Sequence, residues 1–217
     1  MENSKIAWCD HTFNFVRGCV EADDSPECDN CYAKAMSKRN PATLGVWGDE
    51  ETGGTRILAS EAMWKTPLKW NKAAEEAEQQ VCGHNHLIAS NPNIALMDTP
   101  PRPRVFCESF GDVFEDWNGP ILDSHDERMW ANPVLDYWVP ESERHQHIED
   151  GDTLDLFRPL TMPDAVLRLF RLIDATPYVD WLILTKRPGN IRRSWPCKSC
   201  YGVGVDCDMC LGEVVGP

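Results

Sequence analysis

Alternating strand-like and helix-like stretches predict an α/β chain: a parallel sheet in the form of a partial (β/α) barrel, with a small zinc knuckle near the C-terminus. Three observations carry this expectation. Two near-continuous apolar runs, Val105-Phe106-Cys107 and Trp181-Leu182-Ile183-Leu184, suit strands covered on both faces. Between them Val166, Leu169, Phe170 and Ile173 recur at i, i+3, i+4 and i+7, the spacing of an amphipathic helix. Each apolar run ends in polar and charged residues, where ligand loops gather at the carboxyl ends of parallel strands.

Taken in order, Ile6-Ala7-Trp8-Cys9 reads as a first short strand, followed by a polar loop holding Cys19 and Cys28 and a helix opening near Cys31. Residues 41–55 are Gly-rich and loop-like. Ser60 before Glu61 reads as an N-cap, and residues 67–81 as a helix closed by Gly83. A Pro-rich connector then leads to the strand at 104–109. Residues 117–158 read as an acidic insertion, a long loop with short helical pieces. Thr161 with Asp164 three residues on is a capping-box start, and the strand from Asp180 to Thr185 delivers Lys186 and Arg187 to a loop before Pro188-Gly189. Residues 1–195 form the expected main domain and 196–212 the knuckle.

The 217 residues are 42% apolar, and mean hydropathy is -0.44, with no apolar run long enough to span a bilayer. The first residues lack the basic flank and apolar core of a signal peptide, so a reducing cytoplasm is expected and the ten Cys read as metal ligands or free thiols. Net charge is -14. From Glu108 to Asp155 there are 14 acids against Arg128 and Arg144, so the repulsion of a phosphate backbone concentrates there. Lys186, Arg187, Arg192 and Arg193 make a short basic run compatible with nucleic acid but too small to argue it.

Two cysteine groups carry chemistry. Cys197-x2-Cys200-x6-Cys207-x2-Cys210 places two CxxC knuckles around one tetrahedral ion, a structural zinc site first and a protein-docking module second. Cys19-x8-Cys28-x2-Cys31 offers three thiolates from one loop. Spacing alone leaves two readings: three corners of a four-iron four-sulfur cluster with one iron open, or a zinc site completed by Cys9 or His11. Glu108, Ser109 and Asp112 follow one strand and Lys186 and Arg187 another, so both sets are expected to meet near the loop, where the cations suit a carboxylate or phosphate. Cys82-Gly83-His84-Asn85-His86 reads as a solvated helix end, His125, His145 and His147 as exposed side chains, and Cys107 as a small hydrophobe in its strand.

Asn14-Phe15-Val16-Arg17-Gly18-Cys19 and Cys28-Asp29-Asn30-Cys31-Tyr32-Ala33-Lys34 resemble the cluster loop of radical SAM enzymes of the spore photoproduct lyase type. More closely, the chain resembles a phage and bacterial family of three-Cys-motif proteins, itself similar to those enzymes. The likeness extends to Ser60-Glu61-Ala62-Met63-Trp64-Lys65, Pro67-Leu68-Lys69-Trp70-Asn71, Asp112-Val113-Phe114 and residues 180–188. It implies a 4Fe-4S cluster on Cys19, Cys28 and Cys31, with S-adenosylmethionine on the fourth iron and Tyr32, Lys186 and Arg187 beside the cofactor. The implied activity is reductive cleavage of S-adenosylmethionine by a phage-associated protein acting on an unidentified substrate, nucleic acid being one option. The alternative is a non-catalytic, zinc-stabilised binding protein. The family continues with further βα units after the third strand, so the chain is expected to be a fragment.

Overall fold

The computed structural model describes residues 2–22, 25–88, 94–132, 137–144 and 157–196. The cysteine quartet, His145 and His147 lie outside them. The chain is mixed α/β, and its described strands form three separate three-stranded sheets.

The central sheet is parallel, in the order β1 (His11–Thr12), β4 (Arg104–Cys107), β9 (Asp180–Ile183). Val105 and Cys107 are fully buried in β4, the middle strand, as its unbroken apolar run requires. The helix before β9, α6 (Met162–Asp174), begins at Thr161, whose N–H donates to Asp164 Oδ2 at 3.0 Å, while Arg158 forks onto the same carboxylate at 2.7 and 2.5 Å. Its buried stripe of Ala165, Val166, Leu169 and Phe170 packs into the main core with Phe13, Trp64, Val105 and Val179. β4, α6 and β9 therefore form the expected strand, helix, strand unit.

A second sheet joins β2 (Val16–Arg17), β3 (Arg56–Leu58) and β5 (Ile121–Leu122), with β2 antiparallel and β5 parallel to β3. The remaining helices are short, α1 (Pro26–Asp29), α2 (Tyr32–Ser37), α3 (Pro41–Leu44), α4 (Glu61–Trp64) and α7 (Ile191–Ser194), apart from α5 (Thr66–Ile88). That helix spans 23 residues, about 34 Å.

Four expectations are corrected. Residues 6–9 form a turn, closed by the Cys9 N–H on the Ile6 carbonyl at 3.2 Å; the strand starts at His11, where Phe13 N–H reaches Phe106 O at 3.0 Å. Residues 41–44 are helical rather than loop. Helix α5 continues through Gly83 to Ile88, since an interior glycine costs only about 1 kcal/mol and nothing there forces a left-handed turn. The acidic insertion has the expected short helical piece at 141–144 but also holds strands that were not expected: β6 (Met129–Asn132) pairs antiparallel with both β7 (Tyr137–Pro140) and β8 (Arg158–Pro159). This third sheet docks on the core through Trp138, 6.0 Å edge-on from Trp64, with the Arg168 guanidinium 4.6 Å from both rings.

Candidate functional site

The loops leaving the carboxyl ends of β1, β4 and β9 are stitched to one another by buried side chains. Asn14, just past β1, uses one oxygen to accept from Ser109 N at 2.6 Å, Ser109 Oγ at 2.8 Å and Phe110 N at 3.1 Å. Glu108, just past β4, returns the link by accepting from Phe15 N at 2.7 Å and Val16 N at 3.4 Å. Asp112 accepts from Thr185 Oγ1 and Lys186 N, both at 2.8 Å, joining the β4 loop to the β9 loop. Three chain segments far apart in sequence thus share one rigid edge.

The cysteine loop hangs from this edge. Gly18 takes φ 109° and donates its N–H to Phe110 O at 2.9 Å; a Cβ there would lie 2.2 Å from Thr55 O, so only glycine passes. Val20 is held at both backbone groups, its N–H on Glu115 Oε1 at 2.7 Å and its carbonyl on Arg187 at 2.7 Å. Glu115 in turn takes both arms of Arg56, at 2.6 and 2.7 Å, in an ion pair with side-chain exposures of 0% and 1%. Arg56 also stacks 3.9 Å from the centre of the Trp117 ring. Arg187 closes the network, 3.2 Å from Asp112 and 3.8 Å from Cys19 Sγ.

These elements surround a pocket of about 110 Å³ whose lining includes Cys19, Cys28, Cys31, Tyr32, Glu108, Asp112, Lys186 and Arg187. Every cofactor residue expected in the first 195 positions therefore lines one cavity. The Tyr32 hydroxyl donates to Ser109 O at 2.8 Å, which fixes its ring as a wall. Among the described residues the lining holds no histidine and no fourth cysteine. Cys9 is buried, its thiol donating to Ser4 Oγ at 3.5 Å. His11 stacks on Trp70 at 4.2 Å in a different cavity, of about 350 Å³, which also includes Arg102, Pro103 and Tyr178 at the opposite ends of the strands. Neither proposed fourth zinc ligand lines the thiol pocket. Among the described residues no group of three or more His, Cys, Asp or Glu is drawn close enough to hold an ion, so the three thiols share a pocket without a preformed ligand cage.

Electrostatics differ along the lining. Burial pushes the Cys19 thiol far above its ordinary value, Glu115 adds to that shift, and Arg187 opposes it. Arg187 itself loses solvation, yet Cys19, Glu115 and Asp112 outweigh that loss and hold its charge more firmly. Burial likewise raises the Glu108 carboxyl well above the usual range, against the backbone N–H groups on Oε2, and Oε1 has no partner among the described residues. Of the basic run, Arg187 is inside this network and Arg193 pairs with Asp116 at 2.8 Å, so those two cations are already engaged.

Residues 3–148 match the model of DUF5131, a family described as protein of unknown function. The chain belongs to this family. No curated protein and no solved structure matches it. The span matched to DUF5131 contains the three cysteines, Arg56, Glu108, Asp112 and Glu115, whereas Lys186 and Arg187 lie beyond it. Arg56 and Glu115 were missed by sequence reasoning. Their signal is a charge at the start of the strand Arg56-Ile57-Leu58, all three residues of which are buried.

The folded state holds the Glu108 proton more tightly than the unfolded chain does, so stability falls as pH rises above the ordinary glutamate range. Glu108→Gln keeps an oxygen for the two N–H groups and removes the titration. The variant is expected to show a flatter stability profile between about pH 5 and 8, with its largest relative gain at the alkaline end, read by urea denaturation across pH.

Proposed function

We propose that this chain is a radical SAM-like iron–sulfur protein whose cluster sits in the thiol pocket on Cys19, Cys28 and Cys31. The observation that supports it is the co-location of those three thiols, without a fourth cysteine or a histidine among the described residues, at the carboxyl edge of a parallel sheet. On this reading that sheet is one segment of a partial (β/α) barrel, and the cysteine quartet is a separate zinc knuckle.

The donor set fits the group. Three soft sulfur ligands suit iron–sulfur chemistry and leave one iron for a small-molecule ligand. When bound and reduced, the cluster would supply the electron that splits a carbon–sulfur bond of S-adenosylmethionine. The chain's own residues do the rest. Arg187 faces Cys19, the most buried of the three pocket thiols, and offsets negative charge on sulfur. Lys186, in the same lining, suits the carboxylate of an amino-acid moiety. Phe106, Trp47 and the Tyr32 ring give the lining its apolar character and keep water from the reacting atoms. The substrate class stays open, and a phage-associated role comes with the resemblance.

Anaerobic reconstitution with iron and sulfide, reduction with dithionite and incubation with S-adenosylmethionine test the reading. The expected products are 5'-deoxyadenosine and methionine in equal amounts, absent from a Cys31→Ala variant. Intact cofactor after incubation of iron-loaded protein would remove the catalytic part of the proposal. A colourless protein holding only zinc at these cysteines would favour the binding-protein alternative.

A further inference from the structure

The cavity at the amino ends of β1, β4 and β9 has no part in the function proposed for the thiol pocket. At about 350 Å³ it falls within the about 300–1,000 Å³ typical of small-molecule sites. The inward face of α5 is buried at Trp70 and again at Val81, and between them, at i+3, i+4 and i+7 from Trp70, stand Ala73, Ala74 and Ala77. Their single methyl groups leave open the space that larger apolar side chains fill in a core.

The walls are fixed. Trp70 stacks on His11 at 4.2 Å and donates its indole N–H to Glu2 at 3.2 Å. Tyr178 is tied to α5 through its backbone N–H, which donates to Asn71 Oδ1 at 2.8 Å. Pro100, Pro101 and Pro103 supply a stiff stretch of lining, pinned where Pro103 O accepts from Asp180 N at 3.0 Å and where Arg104 N donates to Asp10 at 2.8 Å. A cavity held in this way is preformed, so little ordering is needed to fill it.

Two opposite charges line this cavity without meeting. Arg102 and Glu78 both border it, yet among the described residues neither is hydrogen-bonded or ion-paired, to the other or to a third group. The other acid of the lining, Glu2, is engaged by Trp70. We propose that the cavity binds an apolar α-amino acid, with its carboxylate on Arg102, its ammonium on Glu78 and its side chain on the alanine and proline surfaces. A guanidinium fork matches a carboxylate, and an ammonium donates charge-assisted hydrogen bonds to one. A ligand of a single sign satisfies one of the two charges; a zwitterion satisfies both.

Calorimetric titration of the full chain with L-phenylalanine, 3-phenylpropionate and 2-phenylethylamine tests this, since the last two keep the apolar body and each lacks one charge. Phenylalanine is expected to saturate one site per chain, and each analogue to bind at least about tenfold more weakly. Glu78→Gln should bring phenylalanine down to the level of phenylpropionate, and Arg102→Ala to that of phenylethylamine. Neither side chain is buried, so both variants should keep the wild-type circular dichroism spectrum. A Cys28→Ala, Cys31→Ala variant should bind phenylalanine as wild type does, which separates this cavity from the thiol pocket. No saturation by phenylalanine up to about 10 mM, an analogue that binds as tightly, undiminished binding by Arg102→Ala, or loss of binding in the cysteine variant would each overturn the proposal.

Discussion

Arg56→Met is expected to destabilise the protein by about 3–5 kcal/mol, because it strips a fully buried cation from a carboxylate that stays buried. Glu115 has 1% side-chain exposure and takes both guanidinium arms of Arg56. Its remaining cation, Arg187, is 3.9 Å away and shared with Asp112. The stacking of Arg56 on Trp117 is lost as well. For a domain of this size the melting temperature should fall by on the order of 10 °C. Combining Arg56→Met with Glu115→Leu should recover part of the loss, since the orphaned charge is then gone; it will not recover all, because Val20 N–H loses its acceptor. A double variant no more stable than Arg56→Met would place the cost in packing rather than charge. Calorimetry of the four proteins decides.

Asp112→Ala is the second large effect, expected at about 3–4 kcal/mol. One carboxylate, 5% exposed, accepts from Phe114 N at 3.0 Å, Thr185 Oγ1 at 2.8 Å and Lys186 N at 2.8 Å, and pairs with Arg187. Removing it leaves one buried and two half-buried donors without this acceptor and loosens the β9 loop from the β4 loop. Asp112→Asn retains oxygen for the turn while losing the charge opposite Arg187, so about half the cost is expected. Iron content should stay at the wild-type level in both, because no cysteine is moved directly. On the proposed reading of the pocket, the affinity for S-adenosylmethionine should drop at least about tenfold in Asp112→Ala, as Lys186 and Arg187 lose their position. Equilibrium dialysis and urea melts separate the two effects.

Local rules made the central βαβ unit legible. The run at 105–107 is apolar because its strand is the covered middle of the sheet, and the capping box at Thr161 marks α6 to the residue; the run at 181–184 is not sandwiched as expected, since β9 is an edge strand whose residues stay half-buried and Leu184 is 53% exposed. The meeting of the β4 and β9 loops followed from parallel strand order, and Asp112 with Lys186 supplies its physical link. The first strand was misplaced because Ile6-Ala7-Trp8-Cys9 is apolar for another reason: Cys9 is buried in a turn, and Trp8 lies 4.6 Å from Phe106 with 46% of its surface exposed. The sheet of β6, β7 and β8 gave no period because its burial follows no simple alternation and its partners are separated by about 20 residues or more across β8. Arg56 and Glu115 lie 59 positions apart, a pairing that local pattern cannot show. Helix α5 outran its expected end because Gly83 weakens a helix without stopping it.

Everything proposed for the pocket depends on its three thiols holding iron rather than merely sharing a cavity. Iron and zinc should be assayed together on anaerobically reconstituted wild type and on Cys28→Ala, Cys31→Ala. The account predicts about four iron per chain in wild type and close to none in the variant, with the same zinc content in both. Equal iron in the two proteins, or zinc in place of iron at the first site, would contradict it.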